Sequence, residues 1–278
     1  VAIAEPALRR DGAALPLRHS LPPTGSWEAL MTGGKPDPQQ DLADQTVVVI
    51  GASSGIGLET ARHVRAAGGQ VVMAGRDPQR LERAAAEIQP LSTASLDATD
   101  TDRLQQFFAD LPTAVDHVIS TAGGPSYAPL ADMDLAQTSR HFGDRLAMTL
   151  GTAKYSRGKV RDAGTLLFIG GTGARRPSKG GTVASALTAA LPALTASLAL
   201  ELAPVRVNLI AAGFVDTPLS ASLLGDQLEA RRAELRASLP IGRVVGPQDV
   251  AALALHIMRN EALTGATYDI DGGQQLVT

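Results

Sequence analysis

The sequence predicts a single α/β domain built on a doubly wound, parallel, seven-stranded sheet. Three observations carry this. From Gln45 onward, short apolar runs alternate with helix-length segments and no internal repeat is visible, the pattern of strand–helix–strand crossovers. Several runs are continuously apolar, such as Val47–Ile50 and Leu166–Ile169, as in strands covered on both faces. The third is Gly51-Ala52-Ser53-Ser54-Gly55-Ile56-Gly57, placed directly after the first run.

Taken in order, strands are expected at 46–50, 70–74, 92–96, 115–120, 164–169, 205–211 and 266–270. Helices are expected at 55–67, 78–88, 101–109, 133–157, 181–203, 226–238 and 247–260. The domain therefore spans 46–278. Residues 1–45 differ from it, with six prolines, the single tryptophan Trp27 and no sustained periodicity. They read either as a poorly ordered leader or as an arm that docks on a neighbouring subunit through Trp27.

Composition narrows the function classes. The formal charge of the 278 residues is −3 with no long basic run, so nucleic acid and anionic membranes have no electrostatic footprint. The absence of cysteine excludes disulfides, thiol nucleophiles and thiolate metal sites, and a reducing, cytoplasmic setting is expected. His19, His63, His117, His141 and His256 are scattered, and no metal site is expected. The start, Val1-Ala2-Ile3-Ala4-Glu5, lacks the basic region and long apolar core of a secretory signal. The uncharged stretch Gly180–Leu200 contains Thr182, Ser185, Thr188, Pro192, Thr195 and Ser197. It is read as a buried helix of a soluble domain rather than a membrane span.

The turn after the first strand has the chemistry of a dinucleotide cradle. Gly51 permits the tight turn, Gly55 lets the backbone approach a pyrophosphate, and Gly57 lets the helix pack close to the sheet. The helix beginning near Gly55 presents unpaired N–H groups and a partial positive charge, with Ser54 and Ile56 inside the turn. The second strand ends in Ala74-Gly75-Arg76. Gly75 stands where an NAD binder usually carries a carboxylate for the ribose hydroxyl. Arg76 beside it favours a 2′-phosphate through charge-assisted, fork-like bonds, with Ser53 adding a hydroxyl. NADPH is therefore expected over NADH. Asp97 and Ala98 follow the third strand, where Asp97 is placed to accept from an adenine amino group. Ala122 and Gly123 follow the fourth, at the point where strand order would reverse.

On these motifs the chain resembles the short-chain dehydrogenase/reductase family over about residues 45–278. The resemblance rests on G-A-S-S-G-I-G at 51–57, Asp97, T-A-G at 121–123 and V-R-V-N at 205–208. It continues through A-G-F-V-D-T at 212–217, I-G-R-V-V-G-P-Q-D-V at 241–250 and L-T-G-A-T-Y-D-I-D-G-G at 263–273. It implies a Rossmann domain and a substrate loop after the sixth strand, at about 214–240. It also implies a homodimer or homotetramer, and Val215 and Thr217 at positions that touch the nicotinamide amide.

The family's catalysis uses an asparagine, a serine, a tyrosine and a lysine. Aligned position by position, the Tyr-x-x-x-Lys helix falls on Ala184-Ser185-Ala186-Leu187-Thr188, so Ala184 stands for the tyrosine and Thr188 for the lysine. Gly171 falls on the serine and Arg145 on the asparagine. None of the four roles carries over, and no catalytic residue is assigned. Tyr155 and Lys159 form a Tyr-x-x-x-Lys string, but it precedes the fifth strand and Gly158 breaks its helix. Tyr127, Lys179, Arg176, Arg145 and Ser185 are candidate substitutes, Arg145 as a holder of an anionic substrate. Small residues on the 181–203 helix suit close approach of a second subunit, and Pro192 within it frees the carbonyl of Thr188. Three readings stand side by side: an atypical NADP(H)-dependent oxidoreductase, a non-catalytic NADP(H) sensor or partner subunit of an active homologue, and a vestigial nucleotide site. The substrate is not legible.

Overall fold

A computed structural model of the protein describes residues 42–111 and 114–277. The expectations placed on Trp27 and the proline-rich segment lie outside these residues. In chain order the elements are β1 (Thr46–Ile50), α1 (Gly55–Ala66), β2 (Gln70–Gly75), α2 (Pro78–Ile88), β3 (Ser92–Ser95), α3 (Thr101–Ala109), β4 (Val115–Ser120) and α4 (Leu135–Ser156). They continue with β5 (Val160–Gly171), α5 (Thr182–Glu201), β6 (Arg206–Ala212), α6 (Pro218–Leu224), α7 (Leu228–Ser238), α8 (Pro247–Arg259) and β7 (Thr267–Ile270).

The seven strands form one sheet in the order β3-β2-β1-β4-β5-β6-β7, and every pairing is parallel. Strand order reverses between β1 and β4, which opens a crevice at their C-terminal ends. Side chains alternate between the two faces of each strand. Val47, Val49, Met73, Ile119, Leu167 and Ile210 pack in the core beneath α1, α2 and α8. Val48, Ile50, Val72, Val118, Leu166 and Leu209 pack in the core beneath α3, α4 and α5. This doubly covered sheet is the one predicted from the continuous apolar runs.

Four details depart from the sequence reading. Leu42 is fully buried in the first core and its N–H donates to the Ala67 carbonyl at 3.1 Å, so the packed body begins before residue 46. β5 begins at Val160 rather than 164. Its polar first half pairs across a register shift between Val115 and His117, which interrupts the apolar pattern that marks its second half. The 214–240 segment contains a separate helix, α6. Thr217 caps it by accepting from Ser220 N at 3.3 Å, with Pro218 in the first turn, a Thr-Pro start signal masked by the reading of the segment as a loop. Finally, α5 is long and apolar enough by composition to cross a membrane, yet it packs on the sheet. Only one face is buried, through Val183, Ala184, Leu187, Leu191, Thr195 and Leu198. Ala186, Ala189, Ala193 and Leu200 on the opposite face are exposed.

Candidate functional site

The glycine turn is built at the crevice by three chain segments. Gly51 has φ of +92°, a conformation L-residues rarely adopt. A Cβ there would stand 2.5 Å from Thr121 Oγ1 and 2.9 Å from Ala122 N. Gly57 is closed from inside the turn, since its Cβ would lie 2.2 Å from the Gly51 carbonyl oxygen. Thr121 ties the turn to β4: its hydroxyl is shared between the carbonyls of Ile50 at 3.1 Å and Gly51 at 3.2 Å. A Cβ at Gly55 would lie 3.4 Å from Thr217 Cβ, so the segment after β6 approaches the same turn. Ser54 is the N-cap of α1 but its side chain makes no capping bond. The first-turn N–H groups of α1 thus keep their capacity for an anion. Ile56 packs against the first core.

The end of β2 approaches the turn after β1. A Cβ at Gly75 would lie 3.4 Å from Ser53 Oγ, so a larger residue would crowd this hydroxyl. Arg76 follows, exposed. Asp97 turns one carboxylate oxygen onto Thr99, accepting from its N–H at 3.0 Å and its hydroxyl at 2.8 Å. Burial pushes the Asp97 carboxyl up, but the two Thr99 bonds and the nearby Arg76 charge together hold it below the usual carboxylate range. Ala98 is buried beside it.

Where β5 ends, Ala184, Thr188 and Gly171 lie close together. A Cβ at Gly171 would lie 3.3 Å from Thr188 Cγ2, and one at Gly173 would lie 3.3 Å from Thr188 Oγ1. The Thr188 hydroxyl donates back to Ala184 O at 2.8 Å, with Ser185 O at 3.1 Å. Ser185 donates to Gly173 O at 3.0 Å, so both hydroxyls are spent on neighbouring backbone. Arg145, in the middle of α4, reaches the segment after β4. Its Nη1 donates to the Ala122 carbonyl at 2.5 Å, and burial pushes its guanidinium below its ordinary value. A Cβ at Gly123, whose φ is +87°, would overlap this guanidinium at 1.8 Å.

Tyr155 and Lys159 are not partners. Tyr155 ends α4 among the second core, while Lys159 Nζ donates to the carbonyls of Ala109 and Leu111 at 3.0 and 3.3 Å. Tyr127 and Lys179 are exposed. Their loops are joined where Ala128 N donates to Gly180 O at 2.9 Å.

One structural device escaped the sequence reading. The chain after β7 straps the crevice loops together. Arg175 pairs with Asp269 and donates to Gln275 Oε1 at 2.6 Å, and Arg176 Nη1 donates to Gln274 O at 2.5 Å. Arg176 is therefore engaged with the C-terminal strap, as is Arg175. Gln274 Oε1 accepts from Phe214 N at 2.9 Å. Asp271 accepts from Gly273 N, Gln275 N and Gln275 Nε2 at 2.9–3.0 Å. Burial pushes the Asp271 carboxyl up, and these donors outweigh it and hold it low. Gly213 must be bare because a Cβ would lie 2.6 Å from both Asp271 Cβ and Gln274 Oε1. Val215 is buried and its carbonyl accepts from Ser220 Oγ at 2.5 Å, while Asp216 pairs with Arg232 of α7 at 2.6 Å. Among the described residues no cluster of His, Asp or Glu could hold a metal ion.

Comparison with known proteins agrees with this architecture. A family model described as Enoyl-(Acyl carrier protein) reductase matches residues 51–275. The short-chain dehydrogenase/reductase ATR9 of Stachybotrys chlorohalonatus is 31% identical, over 84% of this chain and 97% of its own. Among solved structures, the MalC reductase/Diels-Alderase of Malbranchea aurantiaca superposes with a TM-score of 0.80 at 25% identity, covering 86% of this chain and 100% of that one. A small-chain dehydrogenase in complex with NADPH superposes with a TM-score of 0.73 at 29% identity, covering 84% and 99%.

Proposed function

The chain belongs to the short-chain dehydrogenase/reductase family, and on that premise we propose that it is an NADP(H)-binding oxidoreductase whose usual proton-transfer residues have been replaced. One observation carries this reading. The glycine turn is sterically enforced at Gly51 and Gly57, while Ala184, Thr188 and Gly171, the positions the family resemblance assigns to proton transfer, have no group that titrates near neutrality.

The residues present fit the nucleotide. Gly51, Gly55 and Gly57 leave room that side chains would fill, and the α1 N-terminus offers N–H groups for the pyrophosphate. The side chains of Ser53, in the turn after β1, and Arg76, just past β2, make no hydrogen bond or ion pair among the described residues, which suits a 2′-phosphate. The similar small-chain dehydrogenase solved with NADPH supports the same choice. Asp97 would accept at the adenine, and Ala98, Ala122, Gly123, Val215 and Thr217 would lie along the rest of the cofactor. When bound, the nicotinamide supplies hydride exchange with a substrate carbon.

This chain's own residues then bind and orient rather than shuttle protons. Thr188 holds its hydroxyl on its own helix, and Ala184 has none. The proton must come from water or from the substrate itself, at a cost of about 10²–10⁴ in rate. The test is NADPH oxidation against a panel of ketones and aldehydes at high protein concentration. Slow, substrate-dependent oxidation is expected, and none at all would remove the catalytic part of the proposal.

The second reading, a non-catalytic NADP(H) sensor or partner subunit, is favoured by the same replacements. It predicts tight NADPH binding with no hydride transfer to any carbonyl and specific capture of another protein. For quaternary structure we propose a homodimer or homotetramer using the exposed small-residue face of α5, which sedimentation velocity would read directly.

A further inference from the structure

We propose that Arg145 is the anchor of a substrate site for a small carboxylate-bearing molecule, placed at the crevice between β1 and β4. The inference rests on the NADP(H) reading above and adds the class of substrate.

The guanidinium sits where a ligand of this fold would lie. It touches the backbone that follows β4, with Nη1 on the Ala122 carbonyl and its head on the open side of Gly123. One residue further, a Cβ at Gly124 would meet Leu219 Cδ2 of α6 at 3.3 Å. The segment 122–124 is thus held between Arg145 and the helix that follows β6. No carboxylate of the described residues pairs with Arg145. A guanidinium has five N–H donors, and the only acceptor it meets among these residues is Ala122 O. One turn away on the same face of α4, His141 keeps Nε2 buried without a partner among the described residues. Polar groups left in this state call for an explanation, and a desolvated cation without a counter-charge is costly until an anion arrives.

The chemistry selects a carboxylate. The planar fork of arginine matches two carboxylate oxygens. A phosphomonoester carries about −1.5 to −2 charge at neutral pH and would call for further cations. Arg175 and Arg176 are already committed to Asp269, Gln275 and Gln274, and Lys179 is exposed. The cofactor phosphates belong to Arg76 and the glycine turn at the other end of the crevice.

The test is isothermal titration of the full chain saturated with NADP+. The probes are a panel of aliphatic and aromatic 2-oxo and 3-oxo carboxylates, their methyl esters, and inorganic phosphate. At least one carboxylate should bind about tenfold or more tightly than its ester. Arg145→Gln should lose that discrimination, and Arg145→Lys should recover only part of it. Equal binding of acids and esters, phosphate binding tighter than any carboxylate, no binding at 10 mM or unchanged carboxylate binding in Arg145→Gln would each overturn the proposal. Absence of NADPH binding to the unmodified protein would instead sink the cofactor reading, so the two failures are told apart.

Discussion

The hydroxyl of Thr188 donates to the carbonyl oxygen of Ala184, 2.8 Å away and one turn back on α5. On the proposed reading, these two positions correspond to the phenol and the ammonium of the family. The bond turns the remaining polar atom of the cluster onto its own helix. Gly171 completes the arrangement, within 3.3 Å of the Thr188 methyl if it carried a Cβ.

Rebuilding the site should therefore require several of its parts at once. Ala184→Tyr alone meets a buried position and should cost about 1–3 kcal/mol from overpacking while raising carbonyl reduction by less than about threefold. The triple change Gly171→Ser, Ala184→Tyr, Thr188→Lys is expected to raise it by about 10² or more, because the members of such a unit act together. Initial rates of NADPH oxidation decide this, and an equal gain from the single change would contradict it.

The cofactor turn should be intolerant of a methyl group. Gly57→Ala drives its Cβ to 2.2 Å from the Gly51 carbonyl and should weaken NADPH binding by about tenfold or more, roughly 1.4 kcal/mol. Gly143, where an added Cβ meets nothing within 4 Å, serves as control. Gly143→Ala lies inside α4 and should stabilise by about 0.5–1 kcal/mol. Fluorescence titration and urea unfolding read the two effects.

Cofactor choice should follow Arg76. Removing one charge-assisted interaction costs about 1.5–3 kcal/mol. Arg76→Ala should therefore lower NADPH affinity by roughly 10- to 150-fold and leave NADH affinity within about twofold. Parallel titrations with both nucleotides test it, and an equal loss for both would assign Arg76 to the fold instead.

The fold was legible because it is written in apolar runs and helix-length spacing, and the glycine turn because Gly51 and Gly57 answer close contacts and Gly55 a positive φ. The strap was not. Arg175 and Arg176 meet Asp269, Gln274 and Gln275 across nearly a hundred residues, and no periodicity records such pairings. The start of β5 was hidden for a related reason. Val160–Gly164 is polar and irregular, with Ala163 at φ of +61°, and only the neighbouring strand makes it a strand. For α5 the composition suggested burial, but an alanine stripe looks the same in sequence whether it faces the sheet or solvent.

Acid sensitivity should centre on His117. Burial pushes its imidazole down to about 4, while in the unfolded chain the value is about 6.5. The native ring is neutral and lies 2.7 Å from Gln45 Oε1 through Nε2. As pH falls from about 6.5 to about 4, the unfolded chain binds the extra proton. Stability is then lost by roughly 3 kcal/mol, and the loss ends below the folded value. His117→Gln should remove this component. Urea unfolding across this range, compared between the two proteins, should show a shallower slope for the variant, and identical slopes would refute the assignment.

The most direct test of the central claim is a crystal structure with NADP+ bound. The pyrophosphate should lie on the N–H groups of residues 51–57, with the adenosine phosphate between Ser53 and Arg76. Around the nicotinamide ring should stand Ala184, Thr188, Gly171 and Arg145. A phenol and an ammonium of this chain, such as Tyr127 and Lys179, found within about 3.2 Å of the reacting position would contradict the account.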